Sequence, residues 1–88
     1  MSWDYKIEAS ALRALRDLGP SASAEIIAYL DTRIKGAADP RAHGKPLKHA
    51  LKGLWRYRVR DWRILCRIED NVCIVIVVDA GHRSDVYD

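Results

Sequence analysis

Apolar and polar residues alternate strictly from Trp3 to Glu8, with Trp3, Tyr5 and Ile7 on one side. This period of two predicts a half-buried strand. The period then lengthens. Ser10 offers an N-cap for a short helix with Leu12, Leu15 and Leu18 on one face, ended by Gly19-Pro20. Ser21 or Ser23 can cap a second helix that carries Ile26, Ile27, Leu30 and Ile34 at helical spacing and closes at Gly36. Two amphipathic helices with a two-residue break predict an antiparallel helical hairpin. From Ala37 to Gly53 no period survives, and Pro40, Gly44, Pro46 and Gly53 mark a loop with room for a turn of helix near Leu47–Leu51.

Three strand-like runs follow, Trp55–Val59, Trp62–Glu69 and Val72–Val78, separated by Arg60-Asp61 and Asp70-Asn71. Two-residue gaps predict tight hairpins. Closing the first over Arg60-Asp61 sets Val59 opposite Trp62, Arg58 opposite Arg63, Tyr57 opposite Ile64 and Arg56 opposite Leu65. Register then sorts the side chains. Trp55, Tyr57, Val59, Trp62, Ile64, Cys66 and Ile68 share one face, which must pack on the helices. Arg56, Arg58, Arg63, Leu65 and Arg67 share the other. Closing the second hairpin over Asp70-Asn71 adds Val72, Ile74, Ile76 and Val78 to the arginine face. The fold class is α+β: a four-stranded, mainly antiparallel sheet on an N-terminal helical hairpin, in the order β-α-α-β-β-β, as one domain over residues 1–88.

Charge sharpens this picture. The chain is +3 overall, but Arg41 to Arg67 holds nine lysines and arginines against the single acid Asp61. That stretch is +8 and leaves −5 on the remainder. One cationic region on a mildly acidic body is a footprint for a polyanion. Arg58 opposite Arg63, with no acid on the same face to relieve it, is a local conflict of the kind sequences accept at functional sites. The guanidinium fork suits phosphate.

Other chemistries find less support. Cys66 and Cys73 are the only cysteines and lie in apolar runs, so both read as buried free thiols. No Cys-x-x-Cys or His-x-x-x-His pair exists to hold zinc, and no metal or cofactor is expected. The N-terminus lacks a basic and then apolar leader, and the run Val72–Val78 is too short to span a bilayer, so the expected location is cytoplasmic, without a membrane partner.

Four segments together resemble RelE-type toxins of the RelE/ParE superfamily: Asp39-Pro40-Arg41 with Gly44-Lys45; Leu51 through Val59; Trp62-Arg63-Ile64-Leu65; and Gly81-His82-Arg83-Ser84-Asp85-Val86-Tyr87. Each is weak alone; their order and spacing carry the resemblance across the chain. It implies a toxin of a type II toxin–antitoxin system that cleaves messenger RNA in the ribosomal A site without a metal. It also implies a cognate antitoxin, RelB-like or of another class, bound in a hetero-oligomer. By position the resemblance assigns the site to Arg56, Arg58, Arg63, Arg83 and Tyr87. Arg63 and Arg83 would stabilise the phosphate, Arg56 and Arg58 would position and polarise the substrate, and Tyr87 would orient the nucleophile or stack on a base. Lys45, Lys48, Lys52, Arg60 and Arg67 read as contacts to the RNA or the ribosome.

The chain departs from the family pattern in three ways. The basic pair is arginine where the best-known members have lysine, and arginine is effectively never deprotonated. Arg60 stands in the hairpin turn where glycine is common, and resists a positive φ. The C-terminal helix of some relatives is not expected. Strict alternation past Val78 would send Arg83 and Tyr87 away from the arginines unless Gly81 permits a bulge or bend. His82 is either an acid–base group beside Arg83 or an exposed or structural histidine, and His43 and His49 carry no assigned role. An apolar patch on Val72–Val78 would suit an antitoxin helix or strand. Two other functions stay open: a ParE-like inhibitor of DNA gyrase, and a catalytically silent RNA- or antitoxin-binding module.

Overall fold

A computed structural model describes residues 2–82. Strand β1 (Asp4–Ile7) leads into helices α1 (Ala9–Leu18) and α2 (Pro20–Tyr29), and a π-helical turn over Leu30–Ile34 extends α2. Then come β2 (Lys45–Pro46), β3 (Trp55–Val59), β4 (Trp62–Glu69) and β5 (Ile74–His82). The sheet has five strands in the order β1-β5-β4-β3-β2, with β1 parallel to β5 and every other pairing antiparallel. The α+β class holds. The strand beyond the expected four is β2, a two-residue edge piece in the segment that reads as loop. Its brevity and Pro46, which donates no hydrogen bond, hide it from any periodic pattern.

The helical hairpin turns on one residue rather than two. Gly19 (φ 101°) ends α1, with its N–H donating to the Arg16 carbonyl, and Pro20 starts α2. None of the expected serine caps forms. Ser10 donates instead to the Val78 carbonyl (3.0 Å) and Ser23 to the Leu15 carbonyl (2.8 Å), so both hydroxyls tie elements together. The buried face of α1 is Ala11 and Leu15, whereas Leu12 is left 47% exposed. Ile26, Leu30 and Ile34 are fully buried, each stabilising the fold by about 1.5–3 kcal/mol. They share one core with Trp3, just before β1, and with Tyr57, Val59, Ile64, Cys66, Val75 and Val77 from the sheet. No helix among the described residues is long and apolar enough to cross a membrane.

The β3–β4 hairpin has the expected register throughout, from Trp55 opposite Cys66 to Val59 opposite Trp62. Its turn does require a positive φ, and Arg60 adopts it at 54°. The second hairpin closes later than expected. Glu69 pairs with Ile74, leaving the four-residue turn Asp70–Cys73 with Cys73 left-handed at φ 55°. Cys73 is therefore a half-buried turn residue, not a core thiol, while Cys66 is fully buried. Val72 lies outside the strand and is 62% exposed. The slip is two residues, so Ile74 and Ile76 keep the face expected for them.

Farther along, Leu65 pairs with Asp79 but Cys66 with Val77, which makes Val78 the extra residue of a β-bulge. The bulge lies three residues before Gly81, where the sequence suggested one. Two contacts from the start of α1 hold it: the Glu8 N–H donates to the Val77 carbonyl (3.0 Å) and the Ser10 hydroxyl to that of Val78. Its effect is a change of parity. Beyond it the odd-numbered positions 79 and 81 share the face of Arg56, Arg58 and Arg63.

Candidate nucleic-acid interface

The outer face of the sheet is built in cross-strand rows. Lys45, Arg56, Leu65 and Asp79 form one, and Arg58, Arg63 and Gly81 form the next. The three expected arginines thus share a face, but they sit at different depths. Arg56 is 7% and Arg63 5% exposed, while Arg58 stands in solvent and its Nε donates to the Arg60 carbonyl at 3.0 Å. Burial reaches the heads as well as the stems: Arg56 Nε and Arg63 Nη1 are themselves closed to solvent, so these two guanidiniums are packed into the face and Arg58 projects from it. Arg67 belongs to a third row with Ile76 and Lys6.

Asp79 is the residue that reading the sequence missed. The arginine face was expected to hold no acid near Arg58 and Arg63. The bulge turns Asp79 onto it, opposite Leu65 and one diagonal step, roughly 7–8 Å, from Arg63. One of its carboxylate oxygens also accepts from the Ala80 N–H at 2.8 Å. No periodic signal marks a bulge, so the parity of Asp79 could not be read in advance.

The other expected contact residues divide into two groups. Arg60 reaches Glu25 of α2 (2.8 Å), and Arg67 reaches Glu69 (2.8 Å) and Glu8 (3.5 Å). The hydrogen bond that Arg67 Nε donates to the Glu69 carboxylate holds the guanidinium more firmly protonated. Lys45, Lys48 and Lys52 are exposed along the β2–β3 hairpin. Arg83 and Tyr87 lie outside the described residues.

That hairpin is strapped down over the edge of the sheet. The buried Tyr57 hydroxyl donates to the Pro40 carbonyl (2.7 Å), and the Trp55 indole N–H to the His43 carbonyl (2.8 Å). Burial pushes the Tyr57 hydroxyl well above its usual pKa, which keeps it a donor. The Arg41 guanidinium lies 5.9 Å from the Trp55 ring centroid and makes a two-pronged pair with Asp70 (2.8 and 2.9 Å). Gly44 (φ 76°) permits the close approach, because a Cβ there would stand 2.2 Å from the Arg56 carbonyl oxygen. Leu47 donates to the Leu54 carbonyl, and the tip winds through a 3₁₀ turn at His49–Leu51. Between tip and sheet lies a cavity of about 320 Å³, walled by Lys45 through His49, Leu51 and Arg56.

Comparison with known proteins follows the same lines. The family model for the ParE toxin of the type II toxin–antitoxin system parDE matches residues 5–87. Toxin RelG of Mycobacterium tuberculosis is 29% identical over 87 residues, covering 99% of this chain and 98% of that protein. The toxin–antitoxin complex RelBE2 of the same organism contains a chain superposing with a TM-score of 0.84 at 26% identity, over 94% of this chain and 100% of that one. The archaeal RelE–RelB complex of Pyrococcus horikoshii shares the fold, with a TM-score of 0.68 at 16% identity, over 98% of this chain and 100% of that one.

Proposed function

Because the chain belongs to the ParE toxin family of type II toxin–antitoxin systems, within the RelE/ParE superfamily, we propose that this toxin is a metal-independent endoribonuclease cutting messenger RNA in the ribosomal A site. The observation that carries the reading is the common face of Arg56, Arg58 and Arg63, set in register across two strands. Cleavage begins with attack of a ribose 2′-OH on the adjacent phosphorus. The new O–P bond forms as the bond to the leaving 5′ oxygen breaks, giving a 2′,3′-cyclic phosphate and a free 5′-OH. Arg63 and Arg83 stabilise the charge that builds on the phosphorane, while Arg56 and Arg58 hold the strand in position. Tyr87 orients the nucleophile or stacks on a base.

Arginine cannot take the 2′-OH proton. Asp79, a carboxylate one diagonal step from Arg63, supplies the acceptor the arginines lack. Lys45, Lys48 and Lys52 contact RNA backbone or ribosomal RNA. Arg60 and Arg67 join them by exchanging exposed carboxylate partners, which bind weakly, for phosphate.

The partner is a cognate antitoxin, a reading supported by two similar chains that were solved within RelBE2 and RelE–RelB complexes. Its acidic residues cover the arginines, and its apolar ones cover Ile74 and Ile76. Inhibition of DNA gyrase by binding is the second reading, favoured by the family model's ParE description. Induced expression with and without the antitoxin, followed by mapping of messenger RNA 5′ ends, separates them. Cuts within translated frames support cleavage; intact messages beside supercoiling defects select gyrase.

A further inference from the structure

The cavity under the β2–β3 hairpin has a chemistry of its own. Three cations of this surface meet carboxylates: Arg41 with Asp70, Arg60 with Glu25 and Arg67 with Glu69. Lys45 and Lys48 hold no carboxylate among the described residues, and no described residue lining the cavity is acidic. Lys45 lies directly across the β2–β3 ladder from Arg56, whose guanidinium is packed into the sheet, so the exposed ammoniums of Lys45 and Lys48 set the charge of this wall. Such a wall selects an anion.

The remaining lining residues are the apolar Pro46, Leu47 and Leu51, together with His49. His49 sits at φ 59°, in the left-handed region that histidine enters more readily than most residues. A volume of about 320 Å³ is at the small end of ligand sites, roughly 300–1,000 Å³. An anionic end, an apolar body and hydrogen-bonding edges within that volume describe one nucleotide. A carboxylate side chain would satisfy the cations but leave the apolar lining and the imidazole unused. Arg56 belongs both to this cavity and to the arginine face, so a strand lying on Arg58 and Arg63 runs on into it.

We infer that the cavity bounded by Lys45–His49, Leu51 and Arg56 is a subsite for one nucleotide of single-stranded RNA next to the cleaved bond. Lys45 and Lys48 take its phosphate. Pro46, Leu47 and Leu51 pack on its base, whose edge His49 reads. The inference rests on the RNA-cleaving function proposed above and adds where base preference arises.

Binding in the isolated full-length chain tests it without ribosomes. Amide spectra are recorded while AMP, GMP, CMP, UMP, inorganic phosphate or a glutamate-rich peptide is added. Saturable shifts are expected across Lys45–Leu51 and at Arg56, with at least one nucleotide binding about tenfold more tightly than inorganic phosphate. His49→Ala should flatten the differences among the four bases, and Lys48→Glu should weaken all four by about tenfold or more. Shifts confined to other regions, equal affinity for inorganic phosphate, or a peptide that occupies the cavity while nucleotides do not would each overturn the subsite. A chain that seats nucleotides here but leaves messages intact removes the cleavage reading and keeps the subsite. A chain that cuts messages, with binding and base preference unmoved by His49→Ala and Lys48→Glu, removes the subsite alone.

Discussion

Arg58 and Arg63 stand directly opposite one another on adjacent strands of the same sheet face. Like charges so placed destabilise a sheet by a few tenths to about 1 kcal/mol. Arg58 is the exposed member of the pair, so replacing it removes repulsion without opening the core. Arg58→Thr should raise stability by roughly that amount, since threonine also suits a strand, while RNA cleavage falls. Urea midpoints and cleavage rates on the same preparation check both. A variant less stable than the parent would show that the pairing carries no strain.

Asp79→Asn separates a proton acceptor from a charge that merely balances arginines. The amide retains an oxygen for the Ala80 N–H but cannot accept the 2′-OH proton. Single-turnover cleavage should drop on the order of 100- to 10,000-fold, with RNA affinity unchanged or higher. Weak or no loss of rate with tighter binding would make Asp79 a balancing charge.

Gly44 precedes β2 and Gly53 lies in the β2–β3 connection, and both have positive φ. A Cβ at Gly44 would meet the Arg56 carbonyl at 2.2 Å and the Trp55 indole nitrogen at 2.7 Å, whereas at Gly53 it meets nothing within 4 Å. Gly53→Ala should cost only the backbone term, about 1 kcal/mol. Gly44→Ala should cost more, by about 1–3 kcal/mol, and displace β2 from β3. Chemical denaturation ranks the two; equal losses would mean that close packing at Gly44 has no energetic consequence.

The Arg41–Asp70 pair gives the hairpin strap a pH dependence. Its hydrogen bonds hold the Asp70 carboxyl below its ordinary 3.8. The folded value lies under the unfolded one, so the stabilisation is complete above 3.8 and is lost as the pH falls through the lowered value. Thermal midpoints of the wild type and Asp70→Asn should therefore differ near neutrality and converge in acid. Added salt should shrink the neutral difference, because both groups are exposed. Curves that stay parallel down to the acid limit would remove Asp70 from the strap.

The sequence made the centre of this fold legible and its edges much less so. The register of Trp55–Val59 on Trp62–Glu69 follows from alternation and a two-residue gap, and it places Arg56, Arg58 and Arg63 together. The slip to Glu69 opposite Ile74 was invisible, because Cys73 turns left-handed without any glycine to announce it. The bulge at Val78 left no pattern in a run of β-branched residues that fits either parity, and so Asp79 was missed. Strand β2 and the cavity beside it depend on the close approach at Gly44, a tertiary contact that composition does not encode. Arg60 shows the reverse: a residue expected to resist a positive φ takes one, with its side chain held by Glu25.

Single-turnover cleavage of messenger RNA on programmed ribosomes, comparing wild type with Arg63→Ala, tests the central claim most directly. With folding verified by circular dichroism, the rate should fall on the order of 100- to 1,000-fold. Cleavage by Arg63→Ala at the wild-type rate would contradict an arginine face that stabilises the reacting phosphate.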